Sequence, residues 1–178
     1  MILLEIIGGT QNQRDIADSA IRHFIKTLLP KKRKLEVEIV IKDTLLQEAV
    51  GFCEKISAIE YKIEVYNRGS LYEFLATLAH EMVHVKQYCK KELQEIDTAT
   101  FWYGKDHSHL AYEDQPWEKE AFAKSYKLAK EYLTKEMEVS VEESKTLSPR
   151  TIAPLDVKKE KNHIKRTRAK IAILKENS

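Results

Sequence analysis

Residues 75–93 read LATLAHEMVHVKQYCKKEL, and this one stretch limits what the chain can become. Leu71, Phe74, Leu75, Leu78, Met82 and Val85 recur at helical spacing and predict a helix over 71–90 with that side buried. His80 and His84 lie four apart, so a helix holds them on one face, about 40° apart around its axis. Glu73, Thr77 and Gln87 share that face, while Leu71, Leu78 and Met82 stand opposite. Ala79, Val83 and Val85 interrupt any continuous solvated surface. A polar stripe on an otherwise apolar helix is expected to face a cleft rather than open water.

Two imidazoles stacked four apart can share one ion, and zinc accepts them readily. His80 and His84 are therefore the expected ligands, with zinc as the expected cofactor. Glu81 points about 100° away from them, which suits a base beside the metal rather than a ligand on it. Catalytic zinc generally takes a third protein ligand and keeps a fourth position open. The position six residues after His84 is Lys90, so a third histidine there is excluded. A carboxylate on the next helix, or one of His107 and His109, remains.

On a helix beginning at Pro116, Trp117, Ala121, Phe122, Leu128, Ala129, Tyr132 and Leu133 span one arc. Glu118 falls near the centre of that arc. A lone carboxylate in a buried face is costly unless something compensates it, and a cation would. Glu120 falls almost opposite, among lysines, and is expected to be exposed and paired with Lys124, four positions on. Glu118 is therefore the predicted third ligand.

The rest of the chain supplies the frame. ILLEII, closed by Gly8-Gly9, predicts a short buried strand. Ile16, Ala17, Ala20, Ile21, Phe24, Ile25 and Leu28 predict a helix over about 12–29, ended at Pro30. KLEVEIVIK and IEYKIEVYN alternate at strand period. Gly51, in QEAVGFCEKISA, marks a tight turn or a bulge in an edge strand. Residues 96–115 read as a polar, aromatic connection, and the next helix is expected over about 116–135. The fold class is thus α+β: a compact domain with a small, mainly antiparallel sheet packed on the helix that carries the histidines. Two cysteines, Cys53 and Cys89, make no disulfide framework and fit a reducing, cytoplasmic setting; both read as small buried fillers. No run approaches the roughly 18 apolar residues of a membrane span.

LAHEMVH, followed about 34 residues later by PWEKEA, resembles the gluzincin pattern of HExxH and then Glu-x-x-Ala on a following helix. Over roughly residues 35–135 the chain looks like the small SprT-like or ImmA/IrrE-like metallopeptidases, many of them encoded by tailed phages. The resemblance implies a minimal zincin-like domain, an endopeptidase acting on protein or peptide substrates, and a location in the cytoplasm of a bacterial host. It implies that an edge strand near AVGFCEKI pairs with substrate backbone. In related families Asp or Asn often follows the glutamate four positions on. Phe122 stands there in this chain, which leaves the outer partner of a ligating histidine unassigned.

In such a mechanism Glu81 takes the proton of the attacking water, and the tetrahedral oxyanion needs a donor beside the metal. Tyr103, His107, His109 and Tyr112 are the residues at hand; Tyr103 and Tyr112 stand as catalytic candidates.

Residues 1–135 form the expected metallopeptidase domain, 136–157 a linker, and 158–178 a basic tail. Lys158, Lys159, Lys161, Lys165, Arg166, Arg168, Lys170 and Lys175 face a single acid, Glu160, over 158–175. With Ile164, Ile171 and Leu174 at roughly helical spacing, this tail suits a nucleic acid or an acidic partner. Besides the general endopeptidase, two alternatives follow: a DNA-associated protease of SprT-like type, and a catalytically silent, metal-stabilised binding or virion-associated protein.

Overall fold

The computed structural model describes residues 1–43, 50–67 and 69–143. The chain runs β1 (Ile2–Gly8), α1 (Gln11–Leu28), β2 (Leu35–Lys42), β3 (Gly51–Lys55), β4 (Glu60–Tyr66) and α2 (Leu71–Cys89). It continues with β5 (Leu93–Ile96), β6 (Ala99–Trp102), β7 (Lys105–Asp106), a 3₁₀ turn at Tyr112–Asp114, and α3 (Pro116–Glu143). The class is α+β, and the helices expected over 12–29 and 71–90 are α1 and α2.

Three of the five strand pairs are antiparallel, but they are not spread evenly. The four-stranded sheet has the order β1-β2-β4-β3, and both β1–β2 and β2–β4 are parallel. For β1 and β2 the reason lies in residues 2–42, where strand, helix and strand follow one another. A helical crossover returns the chain to the same end of the sheet, so the strands it joins run parallel. β3 is antiparallel to β4 and forms an edge, beginning at Gly51.

β1 is the other edge, and like β2 and β4 it packs one face against the core, through Ile2, Leu4 and Ile6. Leu3 and Ile7 are 45% and 46% exposed on the outer face, which corrects the expectation of a fully buried strand. In β2 and β4 the alternation holds: Leu35, Val37, Ile39, Ile41, Tyr61, Ile63 and Val65 are buried on one side, with Glu36, Glu38, Lys62 and Glu64 on the other. Cys53 of β3 joins the inner face, whereas Cys89 is only half-buried.

α1 and α2 pack on that inner face, and α3 packs on α2. α2 is therefore sandwiched, and every residue from Phe74 to Gln87 is buried. Leu71, in the first turn, lies outside the sandwich at 47% exposure, against the expectation that it is core. Ser70 caps the helix by accepting from the Glu73 backbone N–H, and the Glu73 carboxylate accepts the Ser70 N–H in return.

The expected loop over 96–115 holds structure of its own. β5, β6 and β7 form a three-stranded antiparallel meander. Two-residue turns join the strands, and Asp97 (φ 54°), Tyr103 (φ 48°) and Gly104 (φ 77°) take the left-handed conformations that such hairpins need. The strands are only four, four and two residues long, too short for period-2 alternation to register. α3 carries the predicted apolar arc, with Trp117, Ala121, Leu128, Ala129 and Tyr132 buried. It continues to Glu143, eight residues past the expected end at 135. The rest of the expected linker, and the basic tail at 158–178, lie outside the described residues.

Candidate metal centre

α2 presents His80 and His84 toward the first turn of α3, where Glu118 sits two residues after Pro116. The three side chains are almost fully buried: His80 is 3% exposed, His84 1% and Glu118 2%. Nε2 of His80 and Nε2 of His84 lie 3.1 Å apart. His80 Nε2 is 3.3 Å from Glu118 Oε2, and His84 Nε2 is 3.4 Å from Glu118 Oε1. Ligands held about 2.0–2.1 Å from a tetrahedral zinc ion stand about 3.3 Å from one another. The observed spacings therefore suit a small cation at the centre of the group.

The donor chemistry agrees. Two imidazoles and a carboxylate are a common three-ligand set for catalytic zinc. Withdrawing a carboxylate into the interior is costly without a compensating charge, and a cation among these three groups supplies one. Nδ1 of His80 is buried without a hydrogen-bonding partner, so that ring is held by packing, edge-on against Phe122 with centroids 4.7 Å apart. Among the described residues, His80, His84 and Glu118 form the group able to hold a metal ion. His107 and His109 stack on each other near the end of the meander and do not join it.

Glu81 is 2% exposed. It lines a small cleft with His80, Ala76, Thr77, Phe122, Ser125 and Tyr126. Edge strand β3 passes directly over it. A Cβ built on Gly51 would stand 2.6 Å from Glu81 Oε1 and 2.7 Å from Thr77 Cγ2. Glycine at 51 is thus the condition for seating the Glu81 carboxylate beneath this edge. Gly51→Ala is expected to destabilise the fold by about 1–3 kcal/mol, as overpacking does, and to displace β3 or Glu81. Denaturant titration reads the first effect and a crystal structure of the variant the second.

The two tyrosines part company. The Tyr112 hydroxyl donates to Glu118 Oε2 at 2.6 Å and so reaches the centre. Tyr103 does not: its backbone N–H donates to the Glu92 carbonyl, its ring packs edge-on against Trp102, and it is 62% exposed. Of the two, only Tyr112 is brought to the His80, His84 and Glu118 group.

A second buried cluster adjoins the first and was not anticipated. Lys86, 3% exposed, pairs with Glu92 at 2.5 Å and with Glu120 at 2.8 Å. Glu120 also pairs with Lys124 at 2.7 Å, as predicted, but its side chain is only 21% exposed rather than open to solvent. Burial by itself would raise the Glu120 pKa; hydrogen bonds from Lys124, Lys86 and Gln87 outweigh it and bring the value down to about 2. Gln87, 0% exposed, bridges the two clusters. Its Oε1 lies 2.8 Å from His84 Nδ1, and its Nε2 donates to the Trp117 carbonyl and to Glu120 Oε2, each at 2.9 Å. Gln87 was visible as a member of the histidine stripe, and its three-residue spacing from His84 was the available signal.

No protein-family model matches this chain, and no curated protein or solved structure matches it significantly. The metal-binding class of the site therefore rests on the geometry of His80, His84 and Glu118.

Removing a ligand tests that geometry. Glu118→Ala is expected to weaken zinc binding by more than the roughly 10–100-fold that outer-shell changes cost, as measured by competition with a chromogenic chelator. In the unaltered chain, zinc at 100 times its Kd adds about 2.7 kcal/mol of stability. For a chain of this size that raises the Tm by roughly 5–10 °C. A chain whose melting is indifferent to zinc has no such site.

Proposed function

We propose that the protein is a zinc-dependent endopeptidase that hydrolyses peptide bonds in protein substrates. The observation that carries the reading is a buried His-His-Glu group of tetrahedral spacing, with Glu81 of the same HExxH motif held next to it under an edge strand. Glu81 is not needed to hold the ion, so its retention favours turnover over a silent, metal-stabilised binding protein.

His80, His84 and Glu118 would hold the metal. A zinc ion held there would supply an acidified water, with a pKa of about 7, and an electrophile for the scissile carbonyl. Glu81 would take the proton of the attacking water and deliver it to the departing amine. Tyr112 orients the Glu118 carboxylate by donating its hydroxyl proton to Oε2 at 2.6 Å, and could serve the oxyanion only by giving up that bond. β3 pairs with β4 along one side, and its other side has no strand partner among the described residues. An extended peptide can add there through main-chain hydrogen bonds, running past Glu81.

Cleavage of an unfolded protein by the zinc-loaded chain, stopped by a chelator and restored by zinc, tests the proposal. One zinc per chain with no cleavage of any unfolded substrate would leave the silent binding protein in its place.

A further inference from the structure

The amide of Gln87 has only one orientation open to it. Both groups next to one end of it, the Trp117 carbonyl and the Glu120 carboxylate, are acceptors only. That end is therefore the NH2 group, and the carbonyl oxygen must face His84. An amide oxygen cannot donate. Nδ1 of His84, 2.8 Å away, must then carry the proton. In a neutral ring with Nδ1 protonated, Nε2 carries no proton and can act only as an acceptor or a ligand. Nε2 is the atom that stands 3.1 Å from His80 Nε2 and 3.4 Å from Glu118 Oε1.

The same amide ties the two ligand-bearing helices together. The carbonyl it bonds belongs to the peptide that joins Trp117 to Glu118, at the start of α3. One side chain thus sets the tautomer of one ligand and the placement of another. Glu120, held by Lys86 and Lys124, keeps the amide from turning over. Phe122 occupies the position where an Asp or Asn is absent from this chain, so the outer support of a ligating histidine comes instead from α2 itself.

We propose that Gln87 is the positioning residue of the metal centre: it holds His84 in the Nδ1–H form and locks it to the peptide that carries Glu118. This rests on the reading of His80, His84 and Glu118 as metal ligands. It predicts a preference that no ligand list contains, because Gln87 touches no metal and its effect passes wholly through His84 and Trp117.

Two readouts test it, and neither is catalytic. The first is the long-range ¹⁵N–¹H spectrum of the histidine rings in the metal-free chain. His84 is expected as the Nδ1–H tautomer in the unaltered protein and as a tautomer mixture in Gln87→Leu. The second is zinc affinity by chelator competition. Gln87→Leu is expected to bind about 10–100-fold more weakly. Gln87→Glu keeps an oxygen for the Nδ1 proton but loses both donor bonds to α3 and sets a carboxylate against Glu120, so it is expected to keep the His84 Nδ1–H tautomer while binding zinc more weakly than the unaltered chain. Leu35→Ala, a core truncation in β2, controls for general loss of stability and should leave zinc affinity unchanged. Should Gln87→Leu fail to fold, Gln87→Asn, too short to span His84 and α3, reads the same quantity.

An unaltered chain that takes up no zinc overturns the metal centre and this role with it. Zinc bound equally by the unaltered chain and Gln87→Leu, or an unchanged His84 tautomer in that variant, overturns the role of Gln87 alone. Loss of the His84 Nδ1–H tautomer in Gln87→Glu, which keeps the accepting oxygen, overturns the tautomer assignment.

Discussion

Glu81→Gln is expected to keep its zinc and to lose peptide hydrolysis by about 10²–10⁴-fold, the range that a positioned acid–base group contributes. The substitution changes little in shape. Glu81 is 2% exposed and seated beneath Gly51, and glutamine fills the same space. The amide can still orient a water by accepting from it, but it cannot remove a proton. The proposed ligands His80, His84 and Glu118 are untouched. Metal analysis together with cleavage of an unfolded protein substrate reads both halves. Unchanged hydrolysis would mean that another group is the base; lost zinc would mean that Glu81 helps to hold the ion.

Lys86→Met should cost about 3–5 kcal/mol of stability, because it leaves two carboxylates with their shared cation gone. Glu92 and Glu120 both reach the Lys86 ammonium, which is 3% exposed. Methionine matches the stem of lysine but carries no charge, so the loss reads the ion cluster rather than packing. Urea titration measures it, and a change below about 1 kcal/mol, the worth of a surface pair, would remove the cluster from the list of important interactions. Acid gives an independent signature. Glu120 has a folded pKa of about 2, below its ordinary 4.5. A depressed carboxylate contributes stability that is complete above the ordinary value and is lost as pH falls through the folded one. Stability should therefore decline between pH 4.5 and about 2 in the unaltered chain. Glu120→Gln should flatten that part of the profile.

The elements that were legible are those whose signals are local. Ala17, Ala20, Ile21, Phe24, Ile25 and Leu28, and Leu35, Val37, Ile39 and Ile41, are buried where their periodicity put them, with Ile16 half-buried at their edge. Pro116 opens α3 where a missing N–H does no harm. Glu118 was legible because a carboxylate inside an apolar arc breaks its pattern, and such a break asks for a partner. The meander over 93–106 was not legible, because strands this short leave no repeat to count. The parallel pairing within the main sheet was not read from the sequence, where a mainly antiparallel sheet is expected: strand–helix–strand order in residues 2–42 favours it for β1 and β2, but order alone does not say which strands become neighbours.

The sequence by itself determined that a helix would carry His80, Glu81 and His84, and that a following helix would offer Glu118, since helical period and buried charge are properties of short stretches. Only the tertiary structure decided which face of α2 would meet α3, that Lys86 and Glu120 would be buried together, that Gly51 would lie against Glu81, and that Gln87 would connect His84 to Trp117. Those contacts join residues about 30 positions apart. They come from packing α2 between a sheet and a helix, which leaves each polar group on it no partner but the one that the fold brings.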